Sequence, residues 1–157
     1  NREVFPEPQA VFSKAKVLPG IDGRKMSKSY GNTIPFGAGP EEMWERIRMM
    51  TTDPQRIKKT DPGHPEVCIV YAFHKVFNPE EYEEIGARCS AGEIGCVECK
   101  KRLAEKMNAL LADIHTKREE LSKKPEYIKE VLDYGAQRAR KEAEKTMAEV
   151  KTAMNVL

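Results

Sequence analysis

The stretch Gly39-Pro40-Glu41-Glu42-Met43-Trp44-Glu45-Arg46-Ile47-Arg48-Met49-Met50 is where the chain changes character. Pro40 suits the first position of a helix, where a backbone N–H would have no intrahelical partner. Glu41 and Glu42 then fall in the electropositive first turn. Met43, Ile47 and Met50 recur at helical spacing and mark one apolar face. A helix is therefore predicted from Pro40, and the pattern stays helical downstream. A second helix is expected over Pro65–Phe77, with Val67, Val70, Tyr71 and His74 at i, i+3, i+4 and i+7. Asn78 is expected to cap a third, short one through Tyr82 and Ile85.

Two long helices follow. The first carries Leu103, Met107, Leu110, Leu111, Ile114 and Leu121 on one face, and Lys123-Lys124-Pro125 ends it. Pro125 starts the next. That helix carries Ile128, Val131, Leu132, Gly135, Ala139, Ala143, Met147, Val150 and Met154. Its small residues permit close approach, so the two are expected to pair as an antiparallel hairpin packed on the earlier helices. The fold class is mainly α.

Upstream, residues 1–39 are rich in glycine and proline and promise little core of their own. Val4-Phe5 and Val11-Phe12 are candidate short strands, and Gly20-Ile21-Asp22-Gly23 is a turn or loop. Gly37-Ala38-Gly39 lacks the third glycine and the Lys-Ser/Thr ending of a phosphate loop and reads as a loop-to-helix junction.

The 157 residues are 39% hydrophobic and 33% charged, with 27 Lys+Arg against 25 Asp+Glu. Near-balance excludes a strongly basic tail or an acidic solvating polymer. No apolar run approaches the roughly 18–20 residues that span a bilayer, and no signal segment leads the chain. A cytoplasmic setting without a membrane partner is expected. The first residue is Asn1, so the chain reads as a piece of something longer. Residues 1–99 hold 13 Lys+Arg and 15 Asp+Glu, and residues 100–157 hold 14 and 10, which moves the balance from −2 to +4.

Cys68, Cys89, Cys96 and Cys99 are separated by twenty, six and two residues. Three of the four fall within eleven residues, which suits a reduced intracellular metal site better than disulfides. Four thiolates suit zinc or an iron–sulfur cluster. Spacing alone favours zinc, because structural Cys₄ zinc sites are common, although the paired symmetry of a zinc ribbon is missing. Lys100, Lys101 and Arg102 follow directly. They are either a basic patch for nucleic acid or the solvated face of a helix.

Gly20-Ile21-Asp22-Gly23-Arg24-Lys25-Met26-Ser27-Lys28-Ser29-Tyr30-Gly31-Asn32 sets two lysines three apart, flanked by serines, in a glycine-bounded loop. Such a loop can bring two mobile ammonium groups to one polyphosphate. Charge building on a leaving pyrophosphate would be met by Lys25 and Lys28.

Lys25-Met26-Ser27-Lys28-Ser29 resembles the second ATP-binding motif of class I aminoacyl-tRNA synthetases. The flanks Leu18 to Arg24 and Tyr30 to Ile34 resemble tryptophanyl-tRNA synthetases. So do Thr51-Thr52-Asp53-Pro54 and Lys59-Thr60-Asp61-Pro62-Gly63-His64-Pro65-Glu66. The resemblance covers the C-terminal part of that family. It implies that residues 1–39 end a Rossmann-type catalytic domain and carry the ATP loop, and that residues 40–157 form a helical anticodon-binding domain. ATP binding would fall to Gly23, Lys25, Met26, Ser27, Lys28 and Ser29, with Lys25 and Lys28 catalytic. Lys100, Lys101 and Arg102 would meet tRNA(Trp). Implied partners are ATP with Mg2+, tryptophan and tRNA(Trp), in a homodimer at full length. Some bacterial members hold a [4Fe–4S] cluster on four cysteines in similar order, which shifts the reading of Cys68, Cys89, Cys96 and Cys99 from Zn2+ toward the cluster, in a structural role. The family's first ATP motif, His-x-Gly-His, is absent, so catalysis by this chain alone is not expected. The rival readings are a tyrosyl-tRNA synthetase piece and a zinc-binding helical nucleic-acid module.

Overall fold

The computed structural model describes residues 4–12 and 17–156. Residues 1–3 and 13–16 of the segment predicted to be irregular lie outside the described residues. Five α-helices follow one another: α1 Pro40–Arg48, α2 Ile69–Phe77, α3 Tyr82–Ser90, α4 Cys96–Ser122 and α5 Pro125–Met154. Short 3₁₀ turns occupy Lys28–Tyr30 and Pro65–Val67. The fold is mainly helical, as predicted.

Among the described residues there is no strand, only an isolated antiparallel bridge between Pro19 and Lys25. The short strands expected at Val4-Phe5 and Val11-Phe12 are not formed, and Phe5, Val11 and Phe12 stay exposed. Pro6 and Pro8 deny that segment two ladder donors.

α1 begins at Pro40 as expected, on a Gly39 N-cap, with Glu41 and Glu42 in its first turn. The second predicted helix is interrupted at Cys68, whose backbone is extended (φ −88°, ψ 122°), so a 3₁₀ turn precedes α2. Asn78 closes α2 rather than opening α3: its N–H donates to His74 O at 2.8 Å, and Glu81 caps α3.

The chain divides into two compact units, Ser13–Lys117 and Arg118–Leu157 with Asn1–Phe12. The core lies in the first. Met43, Ile47 and Met50 of α1 and its end, Val70 and Phe73 of α2, and Leu103, Ala104, Met107 and Leu111 of α4 form one buried cluster, which Ile21 joins from the loop. Leu110 and Ile114 of α4, expected on that face, are exposed.

In the second unit α5 has no buried residue among those described. Ile128, Val131, Leu132, Met147 and Met154 are exposed, so the expected burial of this face is not found. Apolar periodicity reports that a helix has a face, not that a partner covers it.

Leu103 is 0% exposed and Leu132 is 66% exposed. Leu103→Ala is expected to cost about 2–5 kcal/mol, whereas Leu132→Ala stays within about 0.5 kcal/mol. Urea unfolding of both variants, followed by near-ultraviolet signals of the core, checks the contrast.

Candidate functional site

The lysine loop is built around Asp22 and Asn32. Gly20 N–H donates to Arg24 O at 2.8 Å and Gly23 N–H to Gly20 O at 2.9 Å, which closes the turn ahead of the motif. Asp22 accepts from Arg24 through its backbone N–H (3.0 Å) and its Nε (2.7 Å), and from Asn32 Nδ2 (2.8 Å). The Asn32 amide is the largest influence on Asp22. Burial opposes it, the Arg24 contacts add to it, and the carboxyl settles at about 2. Asn32 also reaches the motif itself: Nδ2 donates to Lys25 O at 3.1 Å, and Oδ1 accepts from Ser27 N–H at 2.8 Å.

Ser27 caps the 3₁₀ turn Lys28–Tyr30, its Oγ accepting from Ser29 N–H at 3.3 Å. Met26 packs against the helical core. Lys25 and Lys28 are exposed, and no carboxylate among the described residues pairs with either ammonium. Gly23 and Ser29 lie on the exposed rim of the same loop. The arrangement is a fixed backbone with two free cations, suited to a polyphosphate.

Behind the loop, Arg46 Nη1 on α1 donates to Gly31 O at 2.9 Å. His115 Nε2 on α4 meets Phe36 O at 3.0 Å. Thr51 N–H, just past α1, donates to Ile21 O at 2.9 Å.

The turns before α2 are tied by Asp53. Its Oδ1 accepts from Gln55 N–H at 2.9 Å, and its Oδ2 accepts from His64 N–H at 2.9 Å and meets His64 Nδ1 at 2.8 Å. Burial pushes the Asp53 carboxyl up, but the Gln55 and His64 contacts outweigh it and hold the group below its ordinary value. Next to this turn, Gly63 packs on Cys89: its N–H donates to Cys89 O at 2.9 Å, and a Cβ at Gly63 would stand 2.5 Å from Cys89 Sγ. Arg56 also approaches that sulfur, Nη1 to Sγ at 3.5 Å, and its Nη2 donates to Lys59 O.

The four cysteines come from three places: Cys68 from the break before α2, Cys89 from the end of α3, and Cys96 and Cys99 from the first turn of α4. All four are free thiols and partly buried. Burial pushes the Cys99 thiol up to about 12, and the charges of Cys68, Cys89 and Cys96 push the same way. The other three cysteines therefore lie near enough to act on Cys99 electrostatically. The type and number of the four donors suit a thiolate-bound metal group. In the arrangement described, however, no three His, Cys, Asp or Glu side chains among the described residues form a group that could hold a metal ion. His74, buried on α2, sets Nε2 3.1 Å from Cys99 O and 3.5 Å from its sulfur, and burial lowers its pKa.

The three basic residues after Cys99 part ways. Lys100 turns inward, and its ammonium donates to Arg48 O and Met50 O, each at 2.7 Å, capping the end of α1. Burial lowers its pKa. Arg102 pairs with Glu98 at 3.5 Å. Lys101 faces a cleft of about 490 Å³ shared with Arg56, Lys58 and Lys59.

Asn32, Arg46 and Lys100 were not legible as supports of the loop. Arg46 and Lys100 reach partners on other segments, whereas Asn32 binds within its own loop, where only a Gly-Asn pair after the motif hints at it.

Comparison with known proteins fits this geometry. The family model of tRNA synthetases class I (W and Y) matches residues 1–112, and the chain belongs to that family. The tryptophan–tRNA ligase of Aquifex aeolicus is 45% identical over 156 residues, covering 98% of this chain and 40% of that protein. The Thermotoga maritima ligase is 44% identical, covering 99% of this chain and 48% of that protein. Tryptophanyl-tRNA synthetase from Campylobacter jejuni, also solved complexed with ADP and tryptophan, superposes with a TM-score of 0.75 at 34% identity. That match covers 89% of this chain and about 45% of the other. The chain thus spans less than half the length of these curated relatives. No helix among the described residues is long and apolar enough to cross a membrane.

Because Asp53 titrates lower in the folded chain than unfolded, its contribution to stability is full above the ordinary carboxylate pKa of about 3.9. It is lost as pH falls from there through the lower folded value. The gap in urea midpoint between the wild type and Asp53→Asn should be present at pH 5 and close as the pH falls further under acid.

Proposed function

We propose that this chain is the ATP-loop and tRNA-facing part of a tryptophan–tRNA ligase. The observation that carries the reading is the loop itself: a backbone fixed by Asn32, with Lys25 and Lys28 exposed and unpaired by carboxylates. In the reaction a tryptophan carboxylate oxygen attacks the α-phosphorus of ATP, the bond to the bridging oxygen breaks, and pyrophosphate leaves. The tryptophanyl group then passes to the 3′ end of tRNA(Trp), releasing AMP. Lys25 and Lys28 meet the charge that grows on the pyrophosphate, and Gly23, Met26, Ser27 and Ser29 shape the loop around it. Mg2+ accompanies the nucleotide and shares in neutralising its phosphates. Residues 1–39 contribute to the nucleotide-binding domain and residues 40–157 to the tRNA-facing helices. The complete protein would act as a homodimer in the cytoplasm. Similarity to ligases named for tryptophan over nearly the whole chain supports this amino acid over tyrosine.

ATP–pyrophosphate exchange by the complete enzyme tests the reading. Tryptophan should drive exchange and tyrosine should not. Lys25→Ala or Lys28→Ala should each lower kcat about 10²–10³-fold. Exchange at background with every amino acid would sink it.

On the tRNA side, Lys101 is the member of the basic trio best disposed to meet a phosphate, since Lys100 and Arg102 are already engaged.

The four cysteines are proposed to hold a [4Fe–4S] cluster in a structural role. The support is a set of four thiols, three of which act electrostatically on Cys99, a donor type that suits soft metal centres. A cluster is broader than a single ion and asks less closely gathered sulfurs. Anaerobically purified protein should be brown, with about four iron and four sulfide per chain. About one zinc in colourless protein favours the Zn2+ reading, and neither metal leaves the thiols free.

A further inference from the structure

We propose that Asn32 is a positioning residue for ATP-dependent activation: one buried carboxamide holds the loop backbone on both sides of Met26 and so sets where Lys25 and Lys28 stand. This assignment rests on the ligase reading above.

Asn32 is 2% exposed in a loop whose other residues mostly face water. Every polar position of its side chain is used. Nδ2 donates to Asp22 Oδ1 and Lys25 O, and Oδ1 accepts from Ser27 N–H. Both of the first two partners are acceptors and the third is a donor, so only one orientation of the amide satisfies them. The Asn32 backbone is fixed as well, its carbonyl accepting from Ile21 N–H at 3.0 Å.

Lys25 C=O and Ser27 N–H bracket Met26, whose side chain packs on the helical core. The peptide is thereby held both by the amide and by packing. The lysines on either side are left with side-chain freedom but little backbone freedom. Gly20 permits this, because a Cβ there would overlap the Asn32 carboxamide, 2.5 Å from its Cγ. Asp22 locks the other end of the amide and is a carboxylate at any working pH, since Asn32 and Arg24 hold it near 2.

Electrostatic catalysis depends on charges already in place when the transition state forms. A displacement of about 1 Å can cost on the order of 10²-fold. Loss of the amide should therefore act on kcat through the two lysines, without touching the tryptophan pocket.

Two measurements on the same substitutions test this. In the chain, hydrogen exchange at Ser27 N–H should be slow, and Asn32→Ala should speed it at least about tenfold while the amides of Ile47 and Leu103 keep their protection. In the complete enzyme, Asn32→Ala and Asn32→Asp should lower kcat of tryptophan-dependent ATP–pyrophosphate exchange about 10²-fold, with the tryptophan KM within about twofold. Asn32→Asp combined with Asp22→Asn restores the contact between those two positions but gives Lys25 O no donor, so kcat should stay at the level of Asn32→Asp alone. A merely structural residue would recover with the restored pair. The assignment is overturned if Ser27 N–H is unprotected in the wild type. It is also overturned if Ser27 is released with no kinetic loss, or if the core amides are released equally. No tryptophan-dependent exchange in the unsubstituted enzyme would instead remove the ligase reading, and this assignment with it.

Discussion

Leu103, Met107 and Leu111 on the first half of α4 are shut from water in one cluster with Met43 and Ile47 of α1 and Val70 and Phe73 of α2. Burying this face fixes the three helices against each other. It also fixes the cysteines, because Cys99 and Cys96 lie one and two turns before Leu103 on α4, and Cys68 lies just before α2. Ile21 enters the same cluster from the loop, and Met26 leans on it. The lysine loop is thus seated on the helical core.

Polar contacts follow the same route. Lys100, in the first turns of α4, donates to the carbonyls of Arg48 and Met50, which α1 leaves without helical partners. The next residue, Thr51, donates to Ile21 O, and Ile21 N–H donates to Asn32 O. A sequence reader sees three basic residues after Cys99 and assigns them one role. The structure gives them three, because successive residues on a helix point about 100° apart.

Much of the helical architecture was legible. Pro40 and Pro125 start helices where their missing N–H costs nothing, and the apolar spacing of α4 was readable through Met107. What was illegible depended on contacts between distant segments. The break at Cys68 overrides an apolar pattern that runs through it unbroken. Asn78 looks like an N-cap, yet its amide is spent on Glu81 and beside His74. The motif Lys25 to Ser29 was plain, but its support by Asn32 could not be read from spacing. The cysteine spacing announced a shared site, and the thiols do influence one another, but spacing says nothing about how closely the sulfurs gather.

The 30 residues of α5 extend about 45 Å at 1.5 Å per residue, with no side chain among those described buried. A helix in that condition is held chiefly by intrinsic propensity and local charge pairs, and it frays from its ends. Its melting is then gradual. Far-ultraviolet ellipticity sums every helical residue, so for this chain it is a blend of a sharp transition and a sloping one. A single midpoint fitted to it would understate the cooperativity of the part that carries the loop.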